Sequence, residues 1–571
     1  MTRSLPSLTW AAAAPALALA LTADAAEVLV AGDITTSTTW TAGNRYNLQG
    51  QVFVMPGATL LIEPGTIIAS DVGGALAITR GALIVCDGTP ENPVIFTSKA
   101  DYLTWSSQNP RGQWRAAANE WGNLTIMGRG YIGKYGNGAP DTNTAAPNAG
   151  NYANMEGLVA SGVGDTRTRY GGGDDQDDSG SLRYTSFRYG GRVIGLGTEL
   201  NGLSLGGVGQ GTEIDHIEIM NNVDDGIEIW GGKVDLKHFS IWNIGDDSLD
   251  IDHGWRGRAQ FGLIVQGYSL NAPSGSGVCD SMIEIDGAAK SDAQPVTTTS
   301  LANLTLIGQP LSGKRAIKYR DGARMQLHNS IVMNAGEAVV RNDNTDGEAT
   351  DGQTGYGFNG TLTFAQTWTT DWNVYSTVNP FANPAQAYTA QNSGKLNQIR
   401  DTVFFSNIHP SAYTEANAQG VFAAGNSNVQ STVLPIASIT RGPNQTLSGT
   451  VIQPVTSLDP RAAADALIAV SPPPSNGFFT PVTYRGAFGP NENWLCGWTA
   501  ASQYGFSVAP PGGCAAPCPA DLNDSGAVDG TDLSQILAAW GASGVPADLN
   551  GDGIVSGLDL AVVLAGWGNC P

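Results

Sequence analysis

The sequence predicts a mainly β protein, a parallel β-helix solenoid followed by a small α-helical pair of calcium loop–helix units. Three observations carry that prediction. Short apolar runs broken by Gly, Asn and Asp fill residues 27 to about 345, and two stretches of this region superimpose at an offset of 22. A 12-residue acidic loop pattern then occurs twice near the C-terminus.

The chain of 571 residues carries 51 acidic and 29 basic side chains, a formal net charge of −22. Such a polyanion is repelled by nucleic-acid phosphates, which excludes that partner class. At 41% hydrophobic it is too apolar for a disordered acidic tail. The 74 glycines, with only 14% charged residues, suit many short strands joined by tight turns.

Residues 1–26 read as a signal peptide. Arg3 supplies a positive n-region, Leu8 to Leu21 a short apolar run, and Ala23-Asp24-Ala25 a small-x-small cleavage pattern. The run is short for a bilayer span, and a retained N-terminal anchor is the alternative. No later stretch approaches 18 uninterrupted apolar residues, so no transmembrane segment is expected in the mature chain, which is placed outside the cell or on its surface. Export permits disulfides. The expected pairs are Cys518–Cys570, clasping the C-terminal module, and Cys496–Cys514, tying down its linker; Cys86 and Cys279 read as buried small hydrophobes.

The repeat is carried by IDHIEIMNNVDDGIEIWGG (214–232) and LKHFSIWNIGDDSLDIDHG (236–254). His216 meets His238, Asn221 meets Asn243, and Asp224-Asp225 meets Asp246-Asp247. LRYTSFRYGG from Leu182 and LHNSIVMNAG from Leu327 read as further copies. Gly and Asp pairs interrupt every apolar run too soon for helices. A unit of this length suits one coil of a parallel β-helix, whereas propeller blades need periods of about 40 or more. VFVMPGATLLIEPGTIIAS (52–70), ALIVCDGTPENPVIFTS (82–98), the block from Tyr170 to Gly267 and TPVTYRGAFGPNENWLCGWT (480–499) resemble secreted bacterial right-handed parallel β-helix proteins of the pectin-lyase-like kind. The resemblance covers most of residues 27–508 and implies that fold for the domain.

Stacking at the repeat offset places Asp224 and Asp225 over Asp246 and Asp247, and Glu228 over Asp250. With Ile227 and Ile229 inward, Glu228 and Trp230 project outward on one face. Like charges about 5 Å apart repel by about 3 kcal/mol at an effective dielectric near 20. Three arrangements relieve this: turns that aim the carboxylates at backbone N–H groups, Ca²⁺ bridging adjacent coils, or a catalytic carboxylate pair with a raised pKa. In the catalytic reading two carboxyl groups act on a glycosidic bond. Trp230, Trp242 and Trp255 then stack on sugar rings, with Glu228, Asp250 and Arg256 beside the substrate. The turns are similar to the carboxylate arrangement of polygalacturonases, which implies Asp225, Asp246 and Asp247 as the carboxylates and His253 as the supporting histidine. The histidine, however, follows the aspartate pair within the same coil, and Arg315 with Lys318 only echoes the Arg-x-Lys element. A lyase would instead use Ca²⁺ with Arg256, Arg258 or Lys318 as base. The run from Asp174 to Asp178 reads as a solvated loop or a Ca²⁺-ordered one.

Residues 509–519 form a Pro/Gly linker, and residues 520–571 a separate module. DLNDSGAVDGTD (521–532) and DLNGDGIVSGLD (548–559) follow the EF-hand ligand rhythm. The first loop offers Asp521, Asn523, Ser525, the Ala527 carbonyl, Asp529 and Asp532 to Ca²⁺. The second offers Asp548, Asn550, Asp552, the Ile554 carbonyl, Ser556 and Asp559. Duplicated loop–helix units of this kind resemble a type I dockerin, which implies two Ca²⁺ ions and a cohesin partner contacted through Gly530, Thr531, Gly557 and Leu558. A calcium-stabilised cap without a partner is the alternative. Together the two parts point to an exported polysaccharide hydrolase or lyase recruited to an assembly, or to a non-catalytic carbohydrate-binding or surface-scaffold protein.

Overall fold

In the computed structural model the described residues are 26–107, 109–134, 147–162, 164–195, 198–267, 280–288, 294–311, 313–342, 362, 364–375, 381–407, 421, 424–447, 450–468, 470–510, 514, 520–523, 527–543, 545, 547–549 and 554–569. The proposed signal peptide lies outside them, except for Ala26, which opens the strand Ala26–Val30.

The chain winds as a parallel β-helix. One face is a nine-stranded parallel sheet in the spatial order Gln51–Val54, Ala75–Ile78, Leu124–Met127, Leu203–Gly206, Ile227–Trp230, Leu249–Asp252, Ser281–Ile285, Arg315–Tyr319 and Ala338–Asn342. The other faces come from long strands such as Gly180–Arg188, Glu213–Asn222, Asp235–Ile244, Arg258–Val265 and Thr298–Ile307, also paired in parallel. The repeat offset holds in both sheets, as in Glu228↔Asp250 and Ile217↔Phe239.

Each long strand is bent at a residue with left-handed backbone: Tyr184, His216, His238, Phe261 and Asn303 have φ between 44° and 59°. The bend divides the strand into two straight runs and turns the coil's corner. Side chains at the bend stack along the solenoid, with ring centroids 4.3 Å apart for Tyr184–His216, 4.2 Å for His216–His238 and 4.9 Å for His238–Phe261. At a second corner the Asn243 amide donates to Asn221 Oδ1 at 3.1 Å, the asparagine ladder expected from the repeat.

Inward residues form columns. Leu203, Ile227, Leu249, Ile283, Ile317 and Val340 are fully buried in one column, and Leu182, Ile214, Leu236, Leu301, Leu327 and Ile399 in another. Each contributes about 1.5–3 kcal/mol by leaving water. Cys86 belongs to this interior as a free thiol, as expected, while Cys279 lies outside the described residues.

Two coverings lie on the outside. The antiparallel pair Ala153–Asn154 and Arg169–Tyr170 belongs to an insertion that packs Met155, Tyr170 and Ile132 against Trp230, Met127 and Phe53. Beyond the last solenoid strand, Val429–Ser431, the antiparallel pair Ile436–Arg441 and Val455–Ala462 and the segment 484–508 cover Met220, Trp242, Leu263 and Ile307. That segment is fastened by the disulfide Cys496–Cys514 and by Glu218, which accepts the backbone N–H of Ala501 at 2.9 Å and that of Ala500 at 2.5 Å. No helix among the described residues is long and apolar enough to cross a membrane.

Candidate functional site

The outward positions of four consecutive strands in the nine-stranded sheet build the site. These strands read IEIW (227–230), LDID (249–252), IEID (283–286) and IKYR (317–320). Their second positions form the row Glu228, Asp250, Glu284 and Lys318, and their fourth positions the row Trp230, Asp252, Asp286 and Arg320. The turns entering the strands add Asp224, Asp225, Asp246, Asp247 and Asp280.

Carboxylate oxygens of Asp224, Asp225 and Asp246 lie within 4.8 Å of one another, as do those of Asp225, Glu228 and Asp250, and those of Asp246, Asp247 and Asp280. Cations neutralise the end formed by Asp280, Glu284 and Asp286. Lys318 Nζ donates to Glu284 at 2.6 Å, Arg315 to Asp280 at 2.6 Å, and Arg320 to Asp286 at 3.1 Å. Burial opposes ionisation of Glu284, but a hydrogen bond from Asp247 together with Lys318 and Arg320 holds it below the usual range. Asp225, Glu228, Asp246, Asp247 and Asp250 are pushed up. Burial and then Asp224, Asp280 and Glu284 raise Asp246 to about 8. Burial followed by Asp250 raises Glu228, and burial followed by Glu284 raises Asp250 and Asp247. Asp225 rises through burial and Asp224.

Two of these side chains also stitch coils together. Asp225 Oδ1 accepts the backbone N–H of Asp247 at 2.9 Å, and Asp247 Oδ1 accepts that of Ser281 in the next coil. Asn201 holds the same place one coil earlier, accepting from Asp225 N at 3.3 Å while its amide donates to Glu228. Asp250 Oδ1 is buried without a hydrogen-bond partner.

A family model for a pectate-lyase-like β-helix domain matches residues 32–400. The chain belongs to the pectate-lyase-like β-helix family. Comparisons with curated proteins and with solved structures gave no match.

In this pectate-lyase-like β-helix, Asp225, Asp246 and Asp247 come together as the repeat predicts, but His253 does not join them. It follows the strand Leu249–Asp252 while Asp247 precedes it, so the length of that strand, about 13 Å, lies between them. Its Nδ1 lies 2.7 Å from the Tyr170 hydroxyl and its Nε2 3.2 Å from Asp252. The expectation of sugar-stacking tryptophans is overturned for all three. Trp230 does point outward, but the insertion covers it to 4% exposure. Trp242 is buried under the C-terminal covering against Phe506, and Trp255 lies in the solenoid interior with Nε1 donating to the Val234 carbonyl at 2.9 Å. Glu228 is outward yet only 7% exposed. Arg256 is buried and paired with Asp175 at 2.6 Å, which leaves no guanidinium for substrate. The 174–178 run is solvated in part: Asp174, Gln176 and Asp178 are exposed, whereas Asp175 makes that pair and Asp177 is buried.

Asp280, Glu284, Asp286 and Arg320 were not legible from the repeat offset, because residues inserted before Ser281 lengthen that coil. The alternation shared by IEIW, LDID, IEID and IKYR is the signal that identifies them. Glu156, from the insertion, faces the cluster as well; desolvation and the carboxylates of Asp224, Glu199 and Asp252 raise it to about 7.

In the C-terminal module, helices Gly530–Ala538 and Gly557–Ala565 start from capping boxes at Asp529 and Ser556. The position-12 carboxylates are fully buried. Asp532 accepts from Asp529 N at 2.8 Å, and Asp559 from Ser556 N at 2.7 Å and Leu549 N at 2.8 Å. Val528 pairs with Gly568, while Val555 exchanges backbone hydrogen bonds with Gly541 and Ala542, so each loop pairs with the end of the other unit's helix. Asp521, Asn523, Ala527, Asp548 and Ile554 are described at their loop positions, whereas Ser525, Asn550, Asp552 and the Cys518–Cys570 pair lie outside the described residues. Leu537 and Trp540 in one unit, and Leu564 and Trp567 in the other, are half exposed at equivalent positions. Leu558 is exposed beside Gly557.

Proposed function

We propose that this protein is an exported, polysaccharide-active β-helix of hydrolase or lyase type that engages an acidic polysaccharide along the nine-stranded face with the help of Ca²⁺. The observation that carries the reading is the crowding of the acidic rows: Lys318, Arg315 and Arg320 serve Glu284, Asp280 and Asp286, while carboxylate oxygens of Asp225, Glu228 and Asp250 lie within 4.8 Å of one another. An all-oxygen donor set with a buried, unpartnered Asp250 Oδ1 fits a hard cation. Asp225, Glu228 and Asp250 would hold it, and its charge would offset both the carboxylates and an anionic polymer. Asp246, held protonated to about pH 8, is placed to donate a proton to a leaving oxygen.

A non-catalytic binding or scaffold role is the second reading. It is favoured by Asp225 and Asp247 being engaged in joining coils, and by the burial of all three tryptophans. For the C-terminal module, we infer a calcium-dependent dockerin that recruits the chain through a cohesin-type partner; its duplicated capping boxes and repeated exposed Leu and Trp support this. A panel of polysaccharides, scored for new reducing ends and for absorbance of unsaturated products with and without Ca²⁺, tests the main reading. Pull-down without cleavage would leave the scaffold role.

A further inference from the structure

Two of the chain's five histidines converge on one carboxylate in the sheet of long strands, apart from the acidic rows. Asp215 and His216 sit on the strand Glu213–Asn222, and His238 on its parallel neighbour Asp235–Ile244. His216 Nδ1 lies 3.0 Å from Asp215 Oδ1, and His238 Nδ1 lies 2.8 Å from the same oxygen. In a straight strand Asp215 and His216 would point to opposite faces. The left-handed bend at His216, with φ of 54°, brings them together, and the matching bend at His238, with φ of 47°, adds the second ring.

The rings are held in place. Tyr184 stacks on His216 with centroids 4.3 Å apart, and Phe261 on His238 at 4.9 Å, so the imidazole pair is sandwiched. From the C-terminal covering, Trp494 meets His216 and His238 edge-on at 5.9 and 5.6 Å, and Trp498 meets His216 at 6.2 Å. Both indole N–H groups donate to carbonyls, of Ala487 and Trp494, and do not compete for imidazole. The flanking cations are engaged as well: Arg183 pairs with Glu213, and Lys237 donates to Thr480 Oγ1 at 2.8 Å. Desolvation and then His216 push His238 down to about 4, which leaves a neutral imidazole, the ligating form, at neutral pH. The three side chains are 15–27% exposed, so an ion can enter with a water.

We propose that Asp215, His216 and His238 form a binding site for a divalent transition-metal ion of the Zn²⁺ class, joining two coils beneath the C-terminal covering. Two imidazoles and one carboxylate suit Zn²⁺ and discriminate against Ca²⁺, which takes an oxygen-only shell. Tetrahedral bonds of about 2.0–2.1 Å set neighbouring ligand atoms about 3.3 Å apart. The two N···O separations are only slightly shorter than that, so the ion needs a small opening as it displaces the shared protons. Water takes the fourth position. The site does not depend on the polysaccharide reading.

The full, untagged chain is stripped with chelator, dialysed against saturating Ca²⁺ to fill oxygen-only sites, and titrated calorimetrically with Zn²⁺. Wild type is expected to bind one Zn²⁺ under these conditions. Asp215→Asn and His238→Gln should each weaken it by at least the cost of losing a ligand's hydrogen-bond partner, about 10–100-fold. Asp250→Asn, in the acidic rows, should bind Zn²⁺ as wild type does. Should a ligand variant misfold, Cu²⁺ bound to wild type decides, because its electron paramagnetic resonance spectrum must show coupling to two imidazole nitrogens. Zn²⁺ binding that Ca²⁺ abolishes, that folded Asp215→Asn and His238→Gln retain, or that Asp250→Asn loses overturns the site. So does a Cu²⁺ spectrum without nitrogen coupling, which would leave the two histidines as hydrogen-bond donors to Asp215 and nothing more.

Discussion

The backbone N–H of Asp247 donates to Asp225 Oδ1 at 2.9 Å, joining two coils through a carboxylate that is itself crowded by other carboxylates. One oxygen of this side chain therefore has a structural task while the charge has none that is satisfied. Asn201 performs the same task one coil earlier without the charge. Asp225→Asn should accordingly keep the stitch and shed the repulsion, leaving melting in chelator at neutral pH unchanged or raised. Asp225→Ala should lose about 1–3 kcal/mol, because it strands a buried N–H. Urea unfolding of the two variants decides between a structural and a purely cation-binding Asp225.

The pH dependence follows from the direction of the shifts. Folded Asp246 keeps its proton to about pH 8, whereas in the unfolded chain it loses it near 4. Between those values the folded state binds more protons, so stability present below pH 4 is lost as pH rises to 8. Asp225, Glu228, Asp247 and Asp250 act in the same sense. Thermal melts in chelator should fall steadily from pH 5 to pH 8, by about 5 °C or more, and Ca²⁺ should restore most of the loss at pH 8. A flat profile in chelator would refute the crowding.

Asp250 sits between Glu228 and Glu284 and has the one buried, unpartnered carboxylate oxygen of the row. Asp250→Asn is expected to be more stable than wild type in chelator and to lose most of the Ca²⁺-induced rise in melting temperature. Equilibrium dialysis should then count fewer ions bound per solenoid. An unchanged Ca²⁺ response would place the cation elsewhere.

The columns and the ladder were legible because turn chemistry fixes the register: Asn-x-x-Asp-Asp-Gly closes a coil, and whatever follows it alternates in and out. Glu228, Asp250 and the two Asp pairs follow from that alone. What covers the solenoid did not follow. Trp230 points outward as the alternation requires, but its exposure is decided by Met155, Tyr170 and Ile132 from an irregular insertion with no periodic signature. Trp242 lies beneath Phe506, which arrives from the far end of the chain, a contact that no local pattern encodes. Asp280 and Glu284 escaped because the coil before them is longer than the repeat unit.

That distant covering is held by Glu218. It is fully buried and takes the N–H groups of Ala500 and Ala501, with Ser186 Oγ donating at 2.7 Å and Arg188 nearby. Glu218→Ala should cost about 3 kcal/mol, since it strands the backbone N–H groups of Ala500 and Ala501 and removes one of the two carboxylates, with Asp101, that act on buried Arg188. Limited proteolysis should then cut within residues 484–508 while the solenoid survives. Reduction of Cys496–Cys514 alone should have a smaller effect, because the backbone bonds to Glu218 remain.

In the C-terminal module the position-12 aspartates are the sensitive points. Asp532 and Asp559 are fully buried, each spanning its loop to the first turn of a helix, and each loop pairs with the end of the other unit. Two ions are expected there, one per loop. Because the loops are interleaved, Asp532→Ala should weaken both sites rather than one, lowering the module's helical circular dichroism and exposing Trp540 and Trp567 further to a fluorescence quencher. Asp559→Ala should do the same. If either variant loses one ion and leaves the second site's affinity intact, the two units fold independently and the cross-pairing of Val528 and Val555 does not couple them.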